Sequence, residues 1–192
     1  GAVQAWAAAA AEGRFTPDNV IERSTRAIEL LLANGVTAVR THINISPDVG
    51  ASNVYALHRV RESFAGLIDI QIVALPRGPM TGPDSSANRA AFAEALDAGV
   101  DVVGGCPHLE DGATDAVAFA FDRALEFGLP VDLHTDETLD PSVLTVLDMV
   151  EQVHELGFDK MVSASHCVSL GVQPLEAQHD IAARIAAAGI AV

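Results

Sequence analysis

The sequence is poor in residues that several enzyme classes depend on. It holds one lysine, Lys160, at the start of a strand-like run and so at the wrong end for a pocket, which excludes a Schiff-base mechanism, since that needs a lysine amine in its pocket. Its two cysteines, Cys106 and Cys167, have neither metal-pair spacing nor disulfide density, which makes a reducing cytoplasm the expected compartment. No G-x-G-x-x-G or Walker-type glycine loop is present, which removes the usual signals for a bound nucleotide. Basic residues are scarce, Lys+Arg 11 against Asp+Glu 26. That balance argues against nucleic acid or an anionic membrane as partner, since both need a basic patch. No apolar stretch approaches the roughly 18 uncharged residues of a membrane span. The alanine run around Trp6 lacks a basic leader and is interrupted by Gln4 and Trp6, so it is not read as a signal peptide.

What is present is a repeat. Six helix-like stretches each end in a glycine and run directly into a β-branched segment: Gly35, Gly66, Gly99, Gly128, Gly157 and Gly189. The spacing is that of one βα unit, and glycine takes the left-handed position that ends a helix without a Cβ penalty. The strand-like runs are TAVRTHINI, IDIQIVALP, VDVVGGCPH, LPVDLHT, KMVSASHC and the stub IAV. Helices are expected from Pro17, capped by Thr16, to about Asn34, then over about 51–64, from Ser85 or Ser86 to about Asp97, over about 114–127, from Pro141 to near Leu156, and over about 175–188. Strict alternation predicts an α/β protein with a parallel sheet. The sequence reads as an incomplete (β/α)8 TIM-type barrel, about strands two to seven, with residues 1–192 forming part of one barrel domain. Strands one and eight, and any flanking β-sandwich, would lie outside it. The competing fold, an open doubly wound sheet, usually carries a glycine-rich phosphate turn after its first strand, and none is found.

In such a barrel chemistry is built at the C-terminal ends of the strands. His42, His108, His134 and His166 all fall at or near those ends. In Val131-Asp132-Leu133-His134-Thr135-Asp136-Glu137, alternation puts Asp132 and His134 on the same, inner face, with Glu137 following in the loop. A neutral imidazole is a good ligand for zinc or iron, and a nearby carboxylate can move protons between an activated water and a substrate. Ser163-Ala164-Ser165-His166-Cys167 ends the next strand. Arg40, two residues before His42, also faces inward and is expected to pair with Asp132. Cys167 is expected to point outward as a structural residue. His58, His154 and His179 fall in helices and read as surface residues.

The segments AVRTHINI, IDIQIVALP, DVVGGCPHLE, VDLHTDE and VSASHC, in this order and spacing, resemble the cytosine deaminase branch of the amidohydrolase superfamily, from Trp6 to the last strand stub. The resemblance implies a mononuclear site holding one divalent metal ion, zinc or iron, in a distorted barrel. It implies that His134 is the metal ligand on barrel strand five and Glu137 the proton-shuttling glutamate. His166 would be the strand-six histidine that contacts the metal's water. The family's paired H-x-H ligands on strand one and its aspartate on strand eight have no counterpart here. Members that bridge two metals with a carboxylated lysine on strand four are excluded, because DVVGG carries none.

One departure bears on substrate. Where cytosine deaminases carry a glutamine just after strand three, this chain has Arg77. Arginine has five donors and no acceptor, so it favours a carbonyl-rich or anionic ring. Arg77, Leu75, His42 and His108 are the expected substrate-binding residues. The expected activity is hydrolysis of a C–N bond on a nitrogen heterocycle or cyclic amide-like compound, with a homo-oligomer among the expected states. A binding-only relative and a sugar-phosphate barrel enzyme are the alternatives.

Overall fold

The structure is a computed structural model that describes residues 5, 8, 9 and 11–192. Trp6 and part of the surrounding alanine run lie outside the described residues. From Pro17 onward helices and strands alternate: α1 Pro17–Ala33, β1 Ala38–Ile45, α2 Ser52–Ser63, β2 Asp69–Pro76, α3 Ser86–Asp97, β3 Val102–Gly105, α4 Ala113–Phe127, β4 Val131–Thr135, α5 Thr145–Leu156, β5 Val162–His166, α6 Leu175–Ala187 and β6 Ile190–Ala191. All six glycines named above have positive φ. Gly128 (φ 67°) and Gly157 (φ 57°) show the reason most plainly: each holds the left-handed C-cap of its helix and turns the chain back toward the sheet.

Three helix starts differ from expectation, the first being α3, where the expected serine cap is missing: Ser85 makes no side-chain capping bond and donates to Gly82 O at 2.7 Å instead. Thr16 occupies the position before α1 with extended backbone, but its side chain makes no capping bond; Pro17, suited to a first turn, opens the helix instead. α5 begins at Thr145 rather than Pro141. Its first turn is anchored by Asp136, a carboxylate brought from the end of the preceding strand, as described below.

The six strands form one parallel sheet in the order β1-β2-β3-β4-β5-β6, every neighbour being the next strand in sequence. A doubly wound sheet reverses its order part-way; this one never does. Right-handed crossovers between consecutive neighbours put every helix on the same face. The sheet is therefore a six-strand arc of a (β/α)8 barrel. Ile43, Ile45, Ile72, Ala74, Val103, Val131, Leu133, Val162 and Ala164 are buried in one apolar core with Val54, Phe92, Phe121, Met149 and Ile185 of the helices. The other face, the barrel's inside, carries Arg40, His42, Gln71, Asp132, His134, Ser163 and Ser165.

Strand register fixes one more feature of that inner face. Gly104 lies beside Asp132, which lies beside Ser163. A Cβ built on Gly104 would stand 2.5 Å from the backbone oxygen of Ala74 and 2.8 Å from Val73 Cγ1. β2 and β3 thus approach so closely that no side chain fits at this position.

Candidate metal and catalytic site

The base of the site is an ion pair between the half-buried Arg40 and the buried Asp132. Asp132 Oδ2 accepts a 2.6 Å hydrogen bond from Arg40 Nη1, and the Asp132 side chain is only 4% exposed. Ser165 Oγ donates to Asp132 Oδ1 at 3.2 Å, while Arg40 also reaches Gln71 Oε1 at 3.1 Å and Ser163 Oγ at 3.2 Å. The pair expected from alternation is present. Burial pushes the Asp132 carboxyl up, but the adjoining His42 ring and Arg40 guanidinium outweigh it and hold the carboxyl at about 2. His42 Nε2 stands 3.6 Å from Asp132 Oδ1, beyond hydrogen-bond length.

His134 lies one layer above. Its ring meets His42 edge-on at 4.8 Å and His166 at 4.9 Å. Its Nδ1 is 2.9 Å from His166 Nε2, whereas its Nε2 is buried and has no hydrogen-bond partner. Burial lowers the pKa of His134, and the neighbouring His42 and His166 lower it further, against the pull of Asp132 and Glu137. A ring kept neutral, with one nitrogen unpaired, has the state that metal ligation requires.

His166 reaches His134 by an unusual route. In the β4–β5 register it lies beside Thr135, which is fully buried; strict alternation would send its side chain under the helices. Instead His166 (φ 75°) and Cys167 (φ 47°) both adopt left-handed backbone, a conformation that non-glycine residues take rarely and that clusters at functional sites. The strand is turned at its last residue and the imidazole emerges on the site side. Cys167 then becomes the buried residue, with Sγ directed at Ala164 O at 3.6 Å.

Glu137 is placed by Asp136. Asp136 is fully buried with φ 55°, and its carboxylate accepts Thr145 N–H and Thr145 Oγ1, each at 2.7 Å, and Val146 N–H at 3.1 Å. Its carbonyl accepts Ser169 N–H at 3.1 Å, and Thr135 O accepts Cys167 N–H at 3.0 Å, so the loops after β4 and β5 are tied together. Glu137 is left exposed, its Oε2 3.8 Å from His166 Nε2. Ligand atoms of His134, Glu137 and His166 all lie within 4.8 Å of one another.

The remaining expected residues divide. His42 belongs to this cluster. His108, on the short 3-10 turn Pro107–Leu109 after β3, has Nδ1 2.9 Å from His134 O. A carbonyl can only accept, so Nδ1 carries the proton and neutral His108 keeps Nε2 as an acceptor. Leu75 and Arg77 stand on the wall of an adjoining cavity of about 1030 Å³, together with Cys106 and Leu133; none of His134, Glu137 and His166 lines it. The Arg77 N–H donates to Ile45 O at 2.8 Å, which extends the β1–β2 ladder into the loop. Burial, with Glu137 and Glu110 adding to it, pushes the Cys106 thiol up to about 11. His154 and His179 are exposed helix residues, and His58 donates to Gly99 O at 3.0 Å.

Sequence reasoning missed Asp136 as a helix anchor and Glu110 as a loop clamp. Both are acidic residues in an acidic chain, and their partners lie nine or more positions away, so no local signal marks them.

No family model matches the chain. A pterin deaminase from Rhizobium rhizogenes is 28% identical over 94% of this chain and 41% of that protein. The crystal structure of 5-methylcytosine deaminase from Klebsiella pneumoniae with phosphonocytosine superposes with a TM-score of 0.84 at 31% identity, over 93% of this chain and 44% of that one. The N-isopropylammelide isopropylaminohydrolase of Burkholderia multivorans gives a TM-score of 0.72 at 31% identity, over 84% and 42%. The chain spans less than half the length of each of these proteins. Over most of its length the chain is thus similar in sequence and fold to cytosine deaminase-like members of the amidohydrolase superfamily.

Proposed function

We propose that the whole protein is a metal-dependent hydrolase that removes an amine from a nitrogen heterocycle. The observation that carries this reading is the convergence of His134, Glu137 and His166 on one point at the C-terminal ends of two adjacent parallel strands. The names of the similar proteins point the same way, since they concern a pterin, an N-isopropylammelide and 5-methylcytosine. We further place the protein in the cytoplasm, as one barrel domain with its two thiols free.

The donor set fits a divalent ion, zinc or iron: His134 offers the unpartnered Nε2, and Glu137 and His166 stand within reach. Such an ion, when bound, supplies a Lewis acid and acidifies water near neutral pH. The chain's own residues do the rest. His134, with Nε2 given to the metal, donates from Nδ1 to His166 Nε2, which fixes both rings. Glu137 takes a proton at its carboxylate and delivers it to a ring nitrogen or the leaving amine. His166 orients the attacking water and stabilises the charge that develops. Arg77 favours a ring rich in carbonyl oxygen or carrying negative charge.

The test is ammonia release by the full-length protein, loaded with zinc or iron, across oxidised pyrimidines, triazines, pterins and cyclic ureides. Release from at least one class, abolished by chelation, is expected. No release from any class by metal-loaded protein would end the deaminase reading.

A further inference from the structure

We propose that Glu110 is the positioning residue that holds the Arg77 loop against the metal-site strand. The inference rests on the deaminase reading only for its effect on substrate; the contacts stand by themselves. Both carboxylate oxygens accept the Met80 N–H at 2.9 Å, and Oε2 also accepts Thr81 N–H at 3.3 Å and Thr81 Oγ1 at 3.1 Å. These partners lie three and four residues after Arg77 in the loop after β2, while Glu110 belongs to the loop after β3. Further bonds come from α3, where Arg89 Nε donates to Met80 O at 2.6 Å and Asn88 Nδ2 donates to Pro79 O at 3.0 Å.

Gly78 supplies an independent sign that the carboxylate's seat is specific. Its φ is not positive, so the backbone does not require glycine there. A Cβ on Gly78 would instead collide with Glu110 Oε1. The missing side chain is what lets the carboxylate dock. Two residues before Glu110, His108 donates from Nδ1 to His134 O. The segment His108–Glu110 therefore grips the end of β4 with one side chain and the loop bearing Arg77 with the other. It sets the distance between the group that would read the substrate and the strand that would hold the metal.

The experiment uses the full-length, metal-loaded protein and three variants. Glu110→Ala removes the acceptor, Gly78→Ala blocks its seat from the opposite side, and Glu110→Gln keeps one acceptor oxygen. Amide exchange at Met80 and Thr81 reads the clamp directly, while KM, kcat and metal content read its effect. In Glu110→Ala and Gly78→Ala both amides should exchange faster and KM should rise about tenfold. Turnover should stay within about twofold with metal content equal to wild type, and Glu110→Gln should recover part of both changes. Unchanged exchange at both amides overturns the proposal, as does faster exchange with an unmoved KM or an equal fall in kcat and metal content. A wild-type protein inactive on every ring speaks against the deaminase reading instead, and the exchange measurement still decides whether Glu110 clamps the loop.

Discussion

Where β4 meets β5, the functional side chains are fixed by strand register, a half-buried ion pair and a fully buried carboxylate. His134 stands on a ladder, Asp132 and Arg40 lie beneath it, and Asp136 anchors both the loop that carries Glu137 and the first turn of α5. The loop that carries Arg77 is held differently. It leaves the ladder after one bond to Ile45 O, and its backbone beyond is fastened by the side chains of Glu110, Arg89 and Asn88. The contrast separates two duties. Groups proposed to do chemistry sit on elements whose geometry the whole fold maintains, and the group proposed to read the substrate sits on a segment that a few local contacts define.

The largest blow to the first region is His134→Ala in the full-length enzyme. It should empty the metal site, measured as metal per chain after dialysis, with activity falling together with metal. Glu137→Gln sharpens the division within that region: metal content should hold while kcat falls by roughly a hundredfold or more, the loss expected for a general acid–base group. A glutamine variant that lost metal and regained normal rate on reconstitution would make Glu137 a ligand instead.

Acid titration probes the foundation. Asp132 releases its proton more readily in the folded chain, near 2, than at the ordinary carboxyl value of 3.8. Its contribution is therefore complete above about pH 4 and drains away as pH falls toward about 2. That difference corresponds to about 2 kcal/mol. Asp132→Asn should lower stability at neutral pH by a similar amount and flatten the acid limb of the urea-midpoint profile. An unchanged limb would show that the ion pair carries no net stability. In the second region the effect should be smallest and confined to recognition. Arg77→Gln should weaken an oxygen-rich or anionic substrate by about 1.5 kcal/mol, the low end for a charged hydrogen bond, and steady-state kinetics should show no change in metal content. An identical substrate profile would remove Arg77 from recognition.

Much of the scaffold was legible because its signals are local. A glycine at each helix end and alternating apolar residues in each strand are read within a few positions, and five of the six helices lie within about two residues of expectation. The Arg40–Asp132 pair was legible for the same reason, since alternation alone put both residues inside. The start of α5 was not, because Pro141 looked like a first-turn residue while the real anchor, Asp136, reaches Thr145 across a loop. Strict strand register would send His166 under the helices; the turned backbone brings it to the site side and leaves Cys167 on the outer, core-packed side expected for it. The left-handed pair that turns them is stabilised by tertiary contacts to Thr135 and Asp136, and those contacts have no local signature.

Gly104 marks a point on the inner face where the backbone itself leaves no room for a side chain. Here even one carbon beyond Cα at Gly104 would strike the main chain of β2, an obstacle that no rotamer change relieves. Any residue other than glycine here would have to spread β2 from β3, and so disturb the strand spacing next to Asp132, on which the site rests.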